Sequence, residues 1–203
     1  MTLKLNGSSS GSVSIDAPAS TTAGADITFN LPVADGSSGQ ALTTNASGQL
    51  AFATVGYDNT PAFSVTKSGD QSISQNTWTK VEWETEQFDT DSAFDNTNDK
   101  FTVPSGKGGV YQLNVQVAVT NQTESAELDI KVYKNGSATS TPTFSREYSG
   151  GASDFTNTTQ LHHLYDLDAG DYVEIYAFHG SGGTNVVESD QSCWSMFKLA
   201  GTS

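Results

Sequence analysis

The chain carries a single cysteine, Cys193, in 203 residues. A lone thiol excludes an internal disulfide framework and suits synthesis in a reducing cytosol. Basic residues are scarce as well: nine Lys and Arg stand against 23 Asp and Glu, for a formal charge of −14. The nine are scattered, whereas a protein that tracks nucleic-acid phosphates needs a clustered basic patch, so no nucleic-acid partner is expected. The acidity serves solubility, and salt screens its self-repulsion. Long apolar runs are missing. None approaches the ~20 residues of a membrane-crossing helix, and no membrane insertion is expected. The opening MTLKLNGSSSGSVS has no apolar stretch behind a basic region, the pattern a secretory signal requires.

What the chain does have is two-residue alternation. In FTVPSGKGGVYQLNVQVAV, residues 101–119, Pro104 and a loop holding Gly106, Gly108 and Gly109 lead into a strand. Tyr111, Leu113, Val115, Val117 and Val119 fall on one face, and Gln112, Asn114, Gln116 and Ala118 on the other. This is the signature of a half-buried antiparallel strand. The second face is polar yet uncharged, as suits a surface that meets another protein surface.

Composition divides the chain. Residues 1–56 hold no Arg or His and are dominated by Gly, Ser, Thr, Ala and Asn. Short alternating runs stand out there: Val13, Ile15 and Ala17, then Ile27, Phe29 and Leu31, then Leu50 and Phe52. Turn clusters at 35–39 and 45–48 separate them. Strands with so little apolar surface must lean on copies of themselves or on a partner. Residues 57–61, YDNTP, read as a linker, and 62–203 as a head.

The stretches LKLNGSSSGSVSIDAPA and ADITFNLPVADGSSGQALTTNASGQLAF, within residues 3–52, resemble the N-terminal module of structural proteins from tailed phages, particularly marine phages of cyanobacteria. That resemblance implies a virion-docking segment at the particle end of a fibre-like or decorating protein. The docking residues would be Leu3, Leu5, Val13, Ile15, Ile27, Phe29, Leu31, Leu50 and Phe52. A flexible Gly/Ser tail is the competing reading.

From Ala62 onward the pattern is all-β. Phe63 and Val65 alternate, then Val81 and Trp83, and QFDTDSAFDNTNDK makes a loop before the central strand. Leu128, Ile130 and Val132 form another inward face, and Asn135-Gly136 supplies the positive-φ pair of a tight hairpin turn. Leu161, His163, Tyr165 and Leu167 run to a turn at 168–171, and Val173, Ile175 and Ala177 follow. Eight to ten short strands with Gly-rich turns imply a sandwich or jelly roll.

PAF at 61–63, FTVP with GVY, LDIKVYKNG, the LDAGD turn and the closing ESDQSCWSMFKLAG resemble the tumour-necrosis-factor and complement one-q globular head over residues 61–201. The resemblance implies a ten-stranded two-sheet jelly roll assembled as a homotrimer. Its axis-facing residues would be Ala62, Ser64, Gln112, Asn114, Gln116, His162, Leu164, Cys193, Phe197 and Leu199. Its core would hold Phe63, Val65, Tyr111, Leu113, Val115, Leu161, Tyr165, Val173, Ile175, Trp194 and Met196. Where the family usually lines the axis with aromatics, this chain has amides, which points to amide ladders or trapped water there.

Candidate chemistry is thin. Gly7-Ser8-Ser9-Ser10-Gly11 matches GxSxG but lies in a helix-free stretch, not the strand-turn-helix of a nucleophile elbow. His162 and His163 are adjacent, so on a strand they point to opposite faces and cannot share a metal. His179 reads as a loop residue, and Cys193, without basic neighbours, as a buried inert thiol. Asp89, Asp91, Asp95 and Asp99 crowd one loop, and Asp166, Asp168 and Asp171 a turn. Asp89, Asp91, Asp166 and Asp168 are the calcium candidates, set against aspartates that merely bond their own turns. Tyr172, Tyr176 and Phe178 share an outward face and form a candidate ligand face.

The functional expectation is a non-enzymatic phage virion protein, made in the host cytoplasm and displayed on the capsid or tail. It would dock to other virion proteins by its first segment and, as a fibre or adhesin, bind a host-surface glycan or protein by its trimeric head. The alternative is a capsid decoration (cement) protein, present in far more copies. A glycan-degrading tailspike would need paired carboxylates in a long groove, and usually a far longer β-helix.

Overall fold

The computed structural model describes residues 3–6, 12–15, 28–45, 47, 49–54, 59–122, 127–139, 144–148, 155–180 and 182–201. The chain forms two compact units, Met1–Gly56 and Tyr57–Ser203. All described secondary structure is strand, as the alternation requires.

The first unit contains two hairpins. Strand β1 (Leu3–Asn6) pairs with β2 (Ser12–Ile15), and β3 (Gln40–Thr44) with β4 (Leu50–Thr54). Asn45 closes the second, its Oδ1 accepting from Ser47 N and Gln49 N at 2.9 and 3.0 Å, an Asx turn. Leu50 and Phe52 do lie on a strand. Phe29 and Leu31 do not: apart from an isolated bridge between Asn30 and Gln49, residues 28–32 pair with nothing described. Strand β3 escaped the sequence reading because QALTT is mostly polar.

The second unit carries β5 (Ala62–Thr66), β6 (Gln71–Ser74), β7 (Thr79–Lys80), β8 (Thr85–Asp89), β9 (Phe94–Asp95), β10 (Lys100–Thr102), β11 (Gly109–Gln122), β12 (Glu127–Lys134), β13 (Ser137–Ala138), β14 (Phe144–Tyr148), β15 (Phe155–Leu167), β16 (Tyr172–His179), β17 (Thr184–Val187) and β18 (Cys193–Ala200). Seven make one sheet, ordered β6-β17-β11-β18-β5-β8 with β15 on β11. Seven make the other, ordered β13-β12-β16-β10-β9 with β14 on β12 and β7 on β16. Of β1, β2 and β14 only the backbone pairing is described. The jelly-roll sandwich is thus present, with more strands than the ten expected. The supposed loop 87–100 contributes part of β8, all of β9 and the start of β10. Val81 and Trp83, expected on a strand, lie just beyond β7, with Val81 N donating to Ile175 O at 2.9 Å.

Every residue expected in the core is buried, and the inward faces of both sheets merge in one cluster. Phe63 sits at its centre, its ring centroid 5.0 Å from those of Phe94, Phe101 and Trp194. Residues 59–61 of the presumed linker belong to this unit: Asn59 Nδ2 donates to Lys198 O at 3.0 Å, and Lys198 N to Pro61 O at 3.0 Å.

Two turns lock β12 to β16. Asn135 and Gly136 take φ of 53° and 74°, as an Asn-Gly hairpin demands. Asn135 Nδ2 donates to Asp171 Oδ1 at 2.7 Å, Tyr172 N donates to Asn135 Oδ1 at 2.9 Å, and Lys134 Nζ lies 2.6 Å from Asp171 Oδ2. Burial works against ionisation of Asp171, but the hydrogen bonds from Lys134, Asn135 and Asp168 N outweigh it and hold its pKa below the ordinary 3.8. A depressed folded pKa gives stability that is complete above 3.8 and lost as pH falls through the folded value. Asp171→Ala is therefore expected to lower stability by about 1–3 kcal/mol at neutral pH. In urea titrations the gap to the parent protein should close as pH falls through that range; a gap that is independent of pH would refute this role.

Candidate functional site

The outward face of the first sheet is built by register. Across β15, β11, β18 and β5, one row runs Leu164, Gln112, Phe197, Ala62. The next runs His162, Asn114, Ser195, Ser64 and on to Phe88 of β8, and a third Gln160, Gln116, Cys193, Thr66. Leu199 lies beyond Phe197 on the same side of β18. All ten residues assigned to the axis from sequence therefore share this face, joined by Gln160, Ser195, Thr66 and Phe88. None of the fourteen is Lys, Arg, Asp or Glu, on a chain of net charge −14. Phe88, Leu164 and Leu199 are 50%, 48% and 46% exposed, large apolar side chains left in water by the single chain.

The amides on this face already satisfy one another. Gln112 Nε2 donates to Asn114 Oδ1 at 3.3 Å, and His162 Nδ1 sits 3.0 Å from the same oxygen, which requires the proton on Nδ1. Gln160 Nε2 donates to Gln116 Oε1 at 2.5 Å, and Gln116 Nε2 to Gln191 O at 2.7 Å. A dent of 140 Å³ opens among Asn114, Gln116, Gln160, His162, Cys193 and Ser195. That is well above the ~15 Å³ one ordered water needs.

Two single-residue expectations are corrected here. Cys193 is exposed, not buried, because Trp194 takes the inward position on β18; partial burial still pushes its thiol pKa up. His179 is no loop residue: it ends β16, is fully buried and places Nε2 3.1 Å from Ile73 O. His162 and His163 do point to opposite sides, the latter edge-on to Tyr165 with ring centroids 4.8 Å apart.

Of the four calcium candidates, Asp89 is the one whose carboxylate is seen to cap its own turn. Asp89 accepts from Asp91 N at 3.2 Å and Phe94 N at 2.7 Å, and Asp91 accepts from Thr90 Oγ1 at 2.7 Å and lies 3.8 Å from Lys107 Nζ. Asp168 offers its backbone N–H to Asp171 Oδ2 at 2.8 Å, and Asp166 its carbonyl to Lys134. Among the described residues no three His, Cys, Asp or Glu converge on a point where a metal could sit. A cleft of 440 Å³ beside β13 is lined by Lys134, Asn135, His163, Tyr165 and Asp166, among others. Burial pushes the Tyr165 phenol up to about 12. Among the described residues Asp166 is the one carboxylate in that lining, whereas glycoside hydrolysis uses two facing each other.

On the second sheet, Tyr172, Tyr176 and Phe178 do share the outward face of β16, each half-buried. The Tyr133 ring stacks on Tyr176 at 3.9 Å, and Trp78 packs on Phe178 at 5.3 Å. Trp78 and Tyr133 come from elsewhere in the chain; strand alternation could place Tyr133, but Trp78 precedes β7 and carries no such signal.

In the first unit Phe29, Leu31, Leu42 and Phe52 are 59%, 76%, 50% and 39% exposed, and Leu50 is half-buried. Ile27 and the side chains of Leu3, Leu5, Val13 and Ile15 lie outside the described residues.

No family model and no curated protein matches the chain. Solved structures do. The globular domain of zebrafish complement 1qA is similar over 70% of this chain and 98% of its own, at 18% identity and a TM-score of 0.50. Murine APRIL covers 68% and 98% at 15% identity and 0.49, and the Eiger TNF of S. frugiperda 70% and 94% at 18% and 0.49. The likeness to the complement domain is one of fold alone, a two-sheet jelly-roll sandwich.

Proposed function

We propose that the protein is a homotrimeric, non-enzymatic virion protein of a tailed phage, docked by its first unit and exposing its jelly-roll head. One observation carries the trimer: three successive rows of a sheet face, from Ala62 to Leu199, hold no charge on a strongly acidic chain, with Asp166 just beyond them at the edge. Such a face can be buried at low cost, because its amides are already paired and its exposed Phe88, Leu164 and Leu199 gain by leaving water. Ordered water in the 140 Å³ dent would bridge the remaining polar atoms. The virion assignment rests on the phage-module resemblance of residues 3–52, and the exposed Phe29, Leu31, Leu42 and Phe52 give that module an apolar surface for a shell or tail protein. Three such modules on one head gain avidity that one lacks.

Deleting residues 1–56 tests the division of labour, since the second unit has its own core. The truncated head is expected to stay soluble and trimeric by sedimentation while failing to join particles during assembly. Incorporation at the parent level would refute docking by the first unit. Copy number per particle separates a host-binding fibre, present in few copies, from a cement protein, present in many.

A further inference from the structure

The outward face of the second sheet carries an arrangement that trimer formation does not use. Lys100 Nζ lies 5.0 Å from the Tyr172 ring centroid, and Lys131 Nζ 4.5 Å from that of Trp78. Among the described residues neither ammonium pairs with a carboxylate or donates a hydrogen bond, so each keeps its three N–H groups. Of the face's carboxylates, Glu174 is 8% exposed with Lys80 Nζ at 2.8 Å and Asp129 is 2% exposed and partnered, while Asp95, opposite Lys100 across β9 and β10, hydrogen-bonds Asn98. Between the two cations the Tyr133–Tyr176 stack continues the row of rings. A chain of net charge −14 thus presents, on one sheet face, two cations that are each beside an aromatic ring and, among the described residues, outside any direct ion pair, Lys131 without and Lys100 with a carboxylate, Asp95, as its cross-strand neighbour.

We propose that this face binds an anionic saccharide. The rings would take the C–H faces of the sugars, and Lys100 and Lys131 their carboxylate or sulfate groups. This deepens the reading of the head as the ligand-binding end and rests on it. A protein partner fits less well, because interfaces are centred on exposed apolar side chains and every large hydrophobic that the described residues expose lies elsewhere. A nucleic acid, charged at every residue, would be repelled by the rest of the surface. A sparsely charged polysaccharide meets two cations with little such penalty.

Tryptophan emission reports on the face directly. Trp83 and Trp194 are fully buried, which leaves Trp78 as the residue a ligand here would perturb. The full-length protein would be titrated with alginate oligosaccharides, dextran sulfate and uncharged dextran. The expected result is a change in emission with at least one charged saccharide and none with dextran. Lys100→Gln and Lys131→Gln should each bind about tenfold more weakly, as for one lost hydrogen bond to a charged group, with unchanged thermal unfolding. Trp78→Phe should lose the signal but remain retarded in a gel containing the saccharide. Indifference to all three saccharides, equal binding of dextran, binding that survives the double lysine substitution, or capture by a host surface protein in their place would overturn the proposal. Particles that still adsorb to host cells while the protein ignores every saccharide would sink this inference alone and leave the head as the binding end.

Discussion

Ser195→Glu is expected to convert the proposed trimer into folded monomers. Ser195 lies in the middle row of the uncharged face, between Asn114 on β11 and Ser64 on β5, half-buried in the single chain. A carboxylate there stays hydrated in a monomer. In a closed trimer it would be buried three times over, with no Lys or Arg on the face to pair it. Removing the partner of a buried charge costs about 3–5 kcal/mol, so three such charges amount to on the order of 10 kcal/mol of lost association. Sedimentation and native mass at micromolar concentration should show one subunit where the parent shows three, with the circular dichroism of a folded head retained and its thermal unfolding lowered by the loss of assembly. Ser195→Ala, which adds no charge, should remain trimeric. A trimer that tolerates the glutamate, or a monomeric parent, would mean the face is not an assembly surface.

Gly109→Ala is expected to be the most damaging small substitution in the head. Gly109 opens β11 at φ 150°, next to a register shift between Val110 and Tyr111 where β11 meets β18. A Cβ there would stand 2.2 Å from Ala200 O and 3.0 Å from Gly201 Cα, both backbone atoms that cannot rotate away. Backbone strain of about 1–3 kcal/mol and overpacking of similar size add, for a loss of roughly 2–5 kcal/mol. Urea unfolding of the full chain should show it as a fall in midpoint at unchanged slope. Gly170→Ala is the comparison: φ is 91° but its Cβ would meet nothing within 4 Å, so strain acts there without the clash and the loss should be smaller. Equal losses at the two positions would show that the β11–β18 bulge adds nothing.

Much of the head was legible because burial alternates with period two. Tyr111, Leu113 and Val115 against Gln112, Asn114 and Gln116 state which side of a sheet each residue takes, and Asn135-Gly136 states where a hairpin closes. Alternation does not say which strands are neighbours. Phe88 looked like part of a polar loop until the pairing of β8 with β5 set it opposite Ser64. Lys100 and Lys131 were two of nine scattered cations until β10, β16 and β12 brought them to one face. His179, before Gly180, reads as a loop residue, and only the packing of the end of β16 against the segment around Ile73 buries it.

The amino-acid order by itself determined the class of structure, the inward set of side chains and the absence of charge from one side of the middle strand, because each depends on near neighbours along the chain. The tertiary structure decided that residues 88 and 195 join 62, 64, 114 and 162 on a single surface, and that two distant lysines stand over aromatic rings on the other sheet. Those are consequences of strand order, which is set by contacts between segments remote in sequence, where no local pattern reaches.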